Sequence, residues 1–178
     1  MALDAGGLAA RAGSLFLLIQ ADAASRRGLI QVLGATAATS RDREVSVKVG
    51  SCLCGAFSFR ISGDLKRPDS CHCTQCRKFS GHYFVSTDVP SDSLSINGSE
   101  HVTWYYSSER VRRGFCAICG SSLFFDPPAT HWIGVAMGAF DSTTETSTEL
   151  HVYAGEKGDY YEICDGLPQY ERLPTTLR

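Results

Sequence analysis

The sequence predicts a mainly β domain over residues 48–178, preceded by an extension over residues 1–47. Three observations carry this. Short segments rich in aromatic and β-branched residues recur after Val45, punctuated by Gly, Asn, Asp and Pro. No long amphipathic helix follows residue 48. Seven of the eight cysteines fall in tight groups, the pattern of metal ligands that tie one stretch of a domain to another.

The extension lacks Cys, His and Pro and is rich in Ala, Gly, Leu and Ser. Leu15, Leu18 and Ile19, then Leu29, Ile30 and Leu33, can line one helix face. Asp22 and Arg26-Arg27 interrupt that stripe and Gly34 can end it, so the extension reads as flexible or marginally helical. Its arginines and serines suit a mitochondrial presequence, but Asp4, Asp22, Asp42 and Glu44 spoil the match. Leu15–Ile19 falls far short of the ~20 apolar residues that span a bilayer.

Along the domain, Phe57, Phe59 and Ile61 alternate on one face of a strand over 56–61 that Ser62-Gly63-Asp64 ends. Further strands are predicted at 83–87, 102–106, 122–125 and 132–136, with turns at Asn97-Gly98 and Asp126-Pro127-Pro128. The chain has 178 residues, room for one core and an appendage but not two cores. A net charge of -2 argues against a nucleic-acid binder that relies on a whole-domain basic field. Neither nucleic acid nor a membrane is an expected partner, and the cytoplasm is the default location.

In a reducing compartment, paired cysteines read as metal ligands before disulfides or a redox pair. Thiolate is a soft ligand that suits zinc. Cys116-Ala117-Ile118-Cys119-Gly120 can fold as a tight turn with both sulfurs converging, Gly120 allowing a positive φ. Cys52-Leu53-Cys54-Gly55 is a shorter chelate whose sulfurs share a face if the segment is a straight strand. Cys71-His72-Cys73-Thr74-Gln75-Cys76 supplies three thiolates in a turn-sized segment, and three protein ligands with one open position is how zinc is held when it acts on something. A division of four and three is simplest, though spacing also permits Cys52 and Cys54 to pair with part of the middle cluster.

Other residues receive blander readings. His72 reads as packed or solvent-facing rather than as a ligand or base, and His82, His101, His131 and His151 are assigned no chemistry. Cys164 reads as a small buried hydrophobe. Trp104, Tyr105, Tyr106, Trp132, Tyr160 and Tyr161 read as core or pocket wall. Arg77, Lys78, Arg110, Arg112 and Arg113 flank the cysteine motifs; a solvated face is their plain reading, and partners for a ligand's carboxylates the sharper one.

Four elements in register resemble the glutathione-dependent formaldehyde-activating enzyme family, which also includes centromere protein V. They are Gly50-Ser51-Cys52-Leu53-Cys54-Gly55, the run from Cys71 to Lys78, Phe115-Cys116-Ala117-Ile118-Cys119-Gly120-Ser121, and Asp165-Gly166-Leu167-Pro168-Gln169-Tyr170. The resemblance covers about residues 48–172. It implies a zinc-stapled β-tent of small twisted sheets and two zinc ions. It assigns Cys52, Cys54, Cys116 and Cys119 to a structural zinc and Cys71, Cys73 and Cys76 to a catalytic one.

Three sulfur anions leave such a zinc, with its water, near a net charge of about -1. The site then lowers the pKa of bound water less than a three-histidine site, where that value reaches ~7, so hydrolysis is not its natural task. Holding a fourth thiolate, such as that of glutathione, for addition to formaldehyde or another small aldehyde fits better. The expected function is therefore a carbon–sulfur lyase-type zinc enzyme. The alternative is a zinc-scaffolded interaction module without turnover.

Overall fold

A computed structural model describes residues 46–175. The helical, presequence and domain-boundary readings of residues 1–47 lie outside that range, apart from Ser46 and Val47. Strand β1 (Val47–Ser51) pairs antiparallel with β2 (Ser58–Ser62), and β5 (Leu94–Asn97) completes a three-stranded sheet on the other edge of β2. The predicted alternation is realised: Phe57, Phe59 and Ile61 are all buried, whereas Arg60 between them is exposed.

A second sheet has eight strands in the order β11-β10-β3-β4-β9-β8-β7-β6. These are β3 (Asp69–Cys71), β4 (Phe84–Pro90), β6 (Val102–Ser108), β7 (Val111–Cys116), β8 (Ser122–Asp126), β9 (Trp132–Ala136), β10 (Leu150–Val152) and β11 (Gln169–Tyr170). Pairing is antiparallel except where β10 runs parallel to both β3 and β11. The architecture is mainly β, and all five strands predicted from pattern are present. Strand β7 escapes the pattern because Arg112, Arg113 and Gly114 sit in it, and β3, β10 and β11 are too short to show a period.

The sheets meet through aromatic side chains. Phe57 and Phe59 lie 5.8 and 6.2 Å from Phe124 on β8, and Phe59 meets Phe140 edge-on at 5.4 Å. Backbone closeness at this seam requires glycine at position 50, where a Cβ would stand 2.3 Å from the Ala139 carbonyl oxygen. The single α-helix among the described residues, α1 (Thr74–Ser80), follows β3 directly. Its N-cap is Cys73, whose sulfur accepts the Cys76 N–H, and Gly81 closes it in a left-handed conformation at φ 83°. No helix among the described residues is long and apolar enough to cross a membrane.

Candidate metal centres

Two turns of the same design converge on the first cysteine cluster. One joins β1 to β2, where the Cys52 N–H bonds the Phe57 carbonyl five residues on. The other joins β7 to β8, where the Cys116 N–H bonds the Ser121 carbonyl, again five residues on. Each tightens through a glycine, Gly55 donating to the Cys52 carbonyl and Gly120 to that of Cys116, and Gly120 has the predicted positive φ, at 75°. Cys52-Leu53-Cys54 is thus a turn beyond the end of β1, not the straight strand considered from sequence. The sulfurs converge all the same, because the turn folds the chain back on itself.

The Sγ atoms of Cys52, Cys54, Cys116 and Cys119 lie within 4.8 Å of one another. Cys52 to Cys54 is 3.6 Å and Cys54 to Cys116 is 3.8 Å. A tetrahedral ion bonded to sulfur at ~2.3 Å separates its ligands by about 3.8 Å, so these donors fit one. They are far too distant for a disulfide, and all eight cysteines are free. Ser121, which closes the third motif but was given no role of its own from sequence, joins the two turns: its Oγ accepts the Leu53 N–H at 3.0 Å and lies 3.2 Å from Cys119 Sγ. That hydroxyl, above all, and the Ser121 backbone bring the Cys119 thiol down to about 6.

The second cluster is built on the β3–α1 junction. Cys71 ends β3, Cys73 caps α1 and Cys76 lies buried in its first turn, so a strand end and a helix start place three sulfurs within 4.8 Å. Such crowding makes the three ionise as a unit. Hydrogen bonds from Cys71 and Cys76 pull the Cys73 thiol down to about 2, while Cys71, bonded to Cys73, is pushed far above the ordinary thiol range. Soft donors that hold one anion so firmly are suited to a cation, and each cluster can hold a metal ion. Among the described residues no fourth His, Cys, Asp or Glu donor joins the three.

A cavity of about 490 Å³ opens over this cluster, lined by Cys71, Cys73, Cys76, Arg113, Phe125, Tyr153 and Glu156 among others. Of the five cations offered from sequence, Arg113 alone reaches a cluster sulfur. It is buried on β7 with Nη1 and Nη2 at 3.6 and 3.7 Å from Cys76 Sγ, its guanidinium packed over Phe79 and Phe125. Arg112 instead pairs with Asp126 at 2.6 Å and covers Trp104, and Arg77 donates to the His72 carbonyl. Lys78 lines a neighbouring recess of about 350 Å³ with Gln75 and Tyr105, while Arg110 is exposed. Glu156, which carried no signal in sequence, accepts the Thr74 N–H and hydroxyl at the cavity edge.

His72 takes the packed alternative: it is fully buried, and desolvation pushes its imidazole down to about 4. His151, Tyr161 and Asp165, dispersed in sequence, gather behind it. Two readings are corrected. Cys164 is exposed and joins neither cluster, since it sits in the irregular segment before β11. Tyr106 and Tyr160 are mostly exposed rather than core or pocket wall, because β6 is an edge strand and residues 157–168 run across the surface; Tyr105, also exposed, keeps the pocket-wall reading beside Lys78.

The model of the family described as "Glutathione-dependent formaldehyde-activating enzyme" matches residues 47–156. A protein of Halomonas elongata, named provisionally as such an enzyme, is 32% identical over 124 residues, covering 64% of this chain and 79% of its own. An uncharacterized lyase of Schizosaccharomyces pombe is 32% identical over 76 residues, 43% of this chain and 55% of that protein. A crystal structure of a Rhodobacter sphaeroides protein superposes with a TM-score of 0.46 at 20% identity, covering 56% of this chain and 98% of the other.

Proposed function

The chain belongs to the glutathione-dependent formaldehyde-activating enzyme family, and from that premise we propose that it joins a thiol, glutathione or a close relative, to formaldehyde or another small aldehyde. In this reading Cys52, Cys54, Cys116 and Cys119 hold a structural zinc, and Cys71, Cys73 and Cys76 hold a second zinc at which the reaction takes place. The observation that carries it is the trio of sulfurs at the cavity floor without a fourth protein donor among the described residues. When bound there, zinc supplies a positive charge that favours the thiolate form of an incoming thiol at neutral pH.

The protein's own groups supply the rest. Arg113, buried in the cavity lining, sets a fixed positive charge against Cys76 and offsets the accumulation of sulfur charge. Phe125 and Val111 give the cavity an apolar wall that limits water near a reactive aldehyde. Glu156, bonded by Thr74 and part of the cavity lining, is the base assigned to take up the thiol proton. The addition forms one sulfur–carbon bond, opens the carbonyl π bond and delivers a proton to the new hydroxyl. Lys78 at the adjoining recess offers an exposed cation for a carboxylate of the thiol.

The test is NMR of 13C-formaldehyde mixed with glutathione, with and without zinc-loaded protein, against Cys73→Ser. Faster adduct formation with the wild type alone supports the assignment. Equal rates for both proteins overturn it and leave a zinc-scaffolded module without turnover.

A further inference from the structure

Behind the three-cysteine cluster, four side chains form an unbroken hydrogen-bonded series. Tyr161 Oη lies 2.6 Å from His72 Nδ1, His72 Nε2 lies 2.8 Å from His151 Nδ1, and His151 Nε2 lies 2.8 Å from Asp165 Oδ2. Both imidazoles are buried, and Asp165 closes the series at the surface with its side chain about half exposed. Its other oxygen, Oδ1, accepts the Leu167 N–H at 3.1 Å. The Asp165-Gly166-Leu167-Pro168 motif, which the metal sites leave unexplained, therefore reaches the backbone between Cys71 and Cys73 through two histidines.

Each link needs one proton, and an ionised carboxylate can only accept. His151 thus donates from Nε2 to Asp165, which leaves its Nδ1 as the acceptor from His72 Nε2–H. His72 Nδ1 in turn accepts the Tyr161 hydroxyl proton. This order satisfies every ring nitrogen without burying a charge on either imidazole. It also braces the cysteine loop, because His72 is held on three further sides: its N–H bonds the Val152 carbonyl, its carbonyl accepts from Arg77, and Tyr83 packs on its ring at 4.8 Å.

We propose that Asp165 is a positioning residue of the three-cysteine site: it orders the protons along His151, His72 and Tyr161 and so holds the Cys71–Cys73 loop in its ligating geometry. The metal part of this claim rests on the function proposed above, whereas the proton order does not.

Two measurements on the full-length zinc protein test it. Long-range 1H–15N spectra report which nitrogen of each histidine carries the proton, and transfer of zinc to a chromogenic chelator reports release from each cluster. In the wild type both rings carry the proton on Nε2. In Asp165→Asn the Leu167 N–H retains the side-chain oxygen, so the amide nitrogen faces His151 and both rings switch to Nδ1–H. Tyr161→Phe, at the far end, leaves both as Nε2–H. Zinc release from the three-cysteine site accelerates about tenfold in Asp165→Asn and Asp165→Ala, the size of effect typical of groups that support metal ligands, and release from the four-cysteine site is unchanged.

Nδ1–H tautomers or imidazolium in the wild type overturn the proton order. Wild-type release rates in both Asp165 variants overturn the positioning role while the function proposed above stands. A wild-type protein that takes up zinc at the four cysteines alone overturns that function itself, and the positioning role with it.

Discussion

The guanidinium of Arg113 faces the sulfur of Cys76 at 3.6 Å from inside the protein, so the charge that balances the three-cysteine cluster comes from β7 and not from solvent. Its Nε also donates to Ser107 Oγ, and Nη2 lies 3.4 Å from Gln75 Oε1.

This pairing predicts the effect of Arg113→Gln. Loss of a close opposite charge makes a thiol a weaker acid by about tenfold or more. The pH at which cobalt(II) half-loads the three-cysteine site should therefore rise, while loading at the four-cysteine site stays put. Thiolate-to-cobalt charge-transfer absorption against pH measures both. An unmoved midpoint would show that the arginine only fills space.

The two clusters should differ in what they support. The four-cysteine site ties the β1–β2 turn to the β7–β8 turn across more than sixty residues, and a structural site can contribute on the order of 10 kcal/mol. Cys116→Ser should abolish the cooperative thermal transition, whereas Cys73→Ser should keep it and lose one zinc per chain by mass spectrometry. The sulfurs of the second cluster sit within six consecutive residues and close no long loop.

Phe124 is fully buried against Phe57, Phe59 and Trp104. Phe124→Ala should cost about 3–5 kcal/mol, read from urea unfolding of the zinc-loaded protein. A cost below about 1 kcal/mol would mean that the two sheets do not share this seam.

Acid should weaken the fold through particular carboxylates. The Lys48 ammonium, by hydrogen bond and charge, holds the Glu145 carboxyl below its ordinary range. The Leu167 N–H, and after it His151, does the same for Asp165. A lowered folded-state value means that the unfolded chain takes up the proton first as pH falls. The stabilisation is therefore present above the ordinary carboxylate value near ~4 and disappears as pH drops through the folded value. Glu145→Gln should flatten that acid limb without altering stability at pH 9 relative to pH 7. An unchanged limb in the variant would remove Glu145 from the account.

Much of the architecture was legible because its signals are local. Phe57, Phe59 and Ile61 alternate over five residues, and the turn at Cys116–Gly120 needs only its two sulfurs and a glycine. Strands β3, β10 and β11 were not legible, since three residues or fewer carry no period, and β7 contradicts strand propensity at Arg112 and Arg113. Those arginines tolerate a central strand because one is paired with Asp126 and the other with the Cys76 sulfur and two aromatic rings, partners supplied by β8 and by α1.

The mainly β class and the local cysteine motifs follow from the sequence alone, since they rest on spacings of a few residues that covalent geometry carries into space, whereas the meeting of Cys52 and Cys54 with Cys116 and Cys119 rather than with the middle cluster is a long-range outcome. Only tertiary structure decided that Arg113 and not its four neighbours meets a thiol, that Glu156 edges the cavity, and that His151, Tyr161 and Asp165 stand behind His72. Parallel pairing of β3 with β10 brings together residues some eighty positions apart, and such proximity depends on which strand edges find each other, a long-range choice that no local pattern encodes.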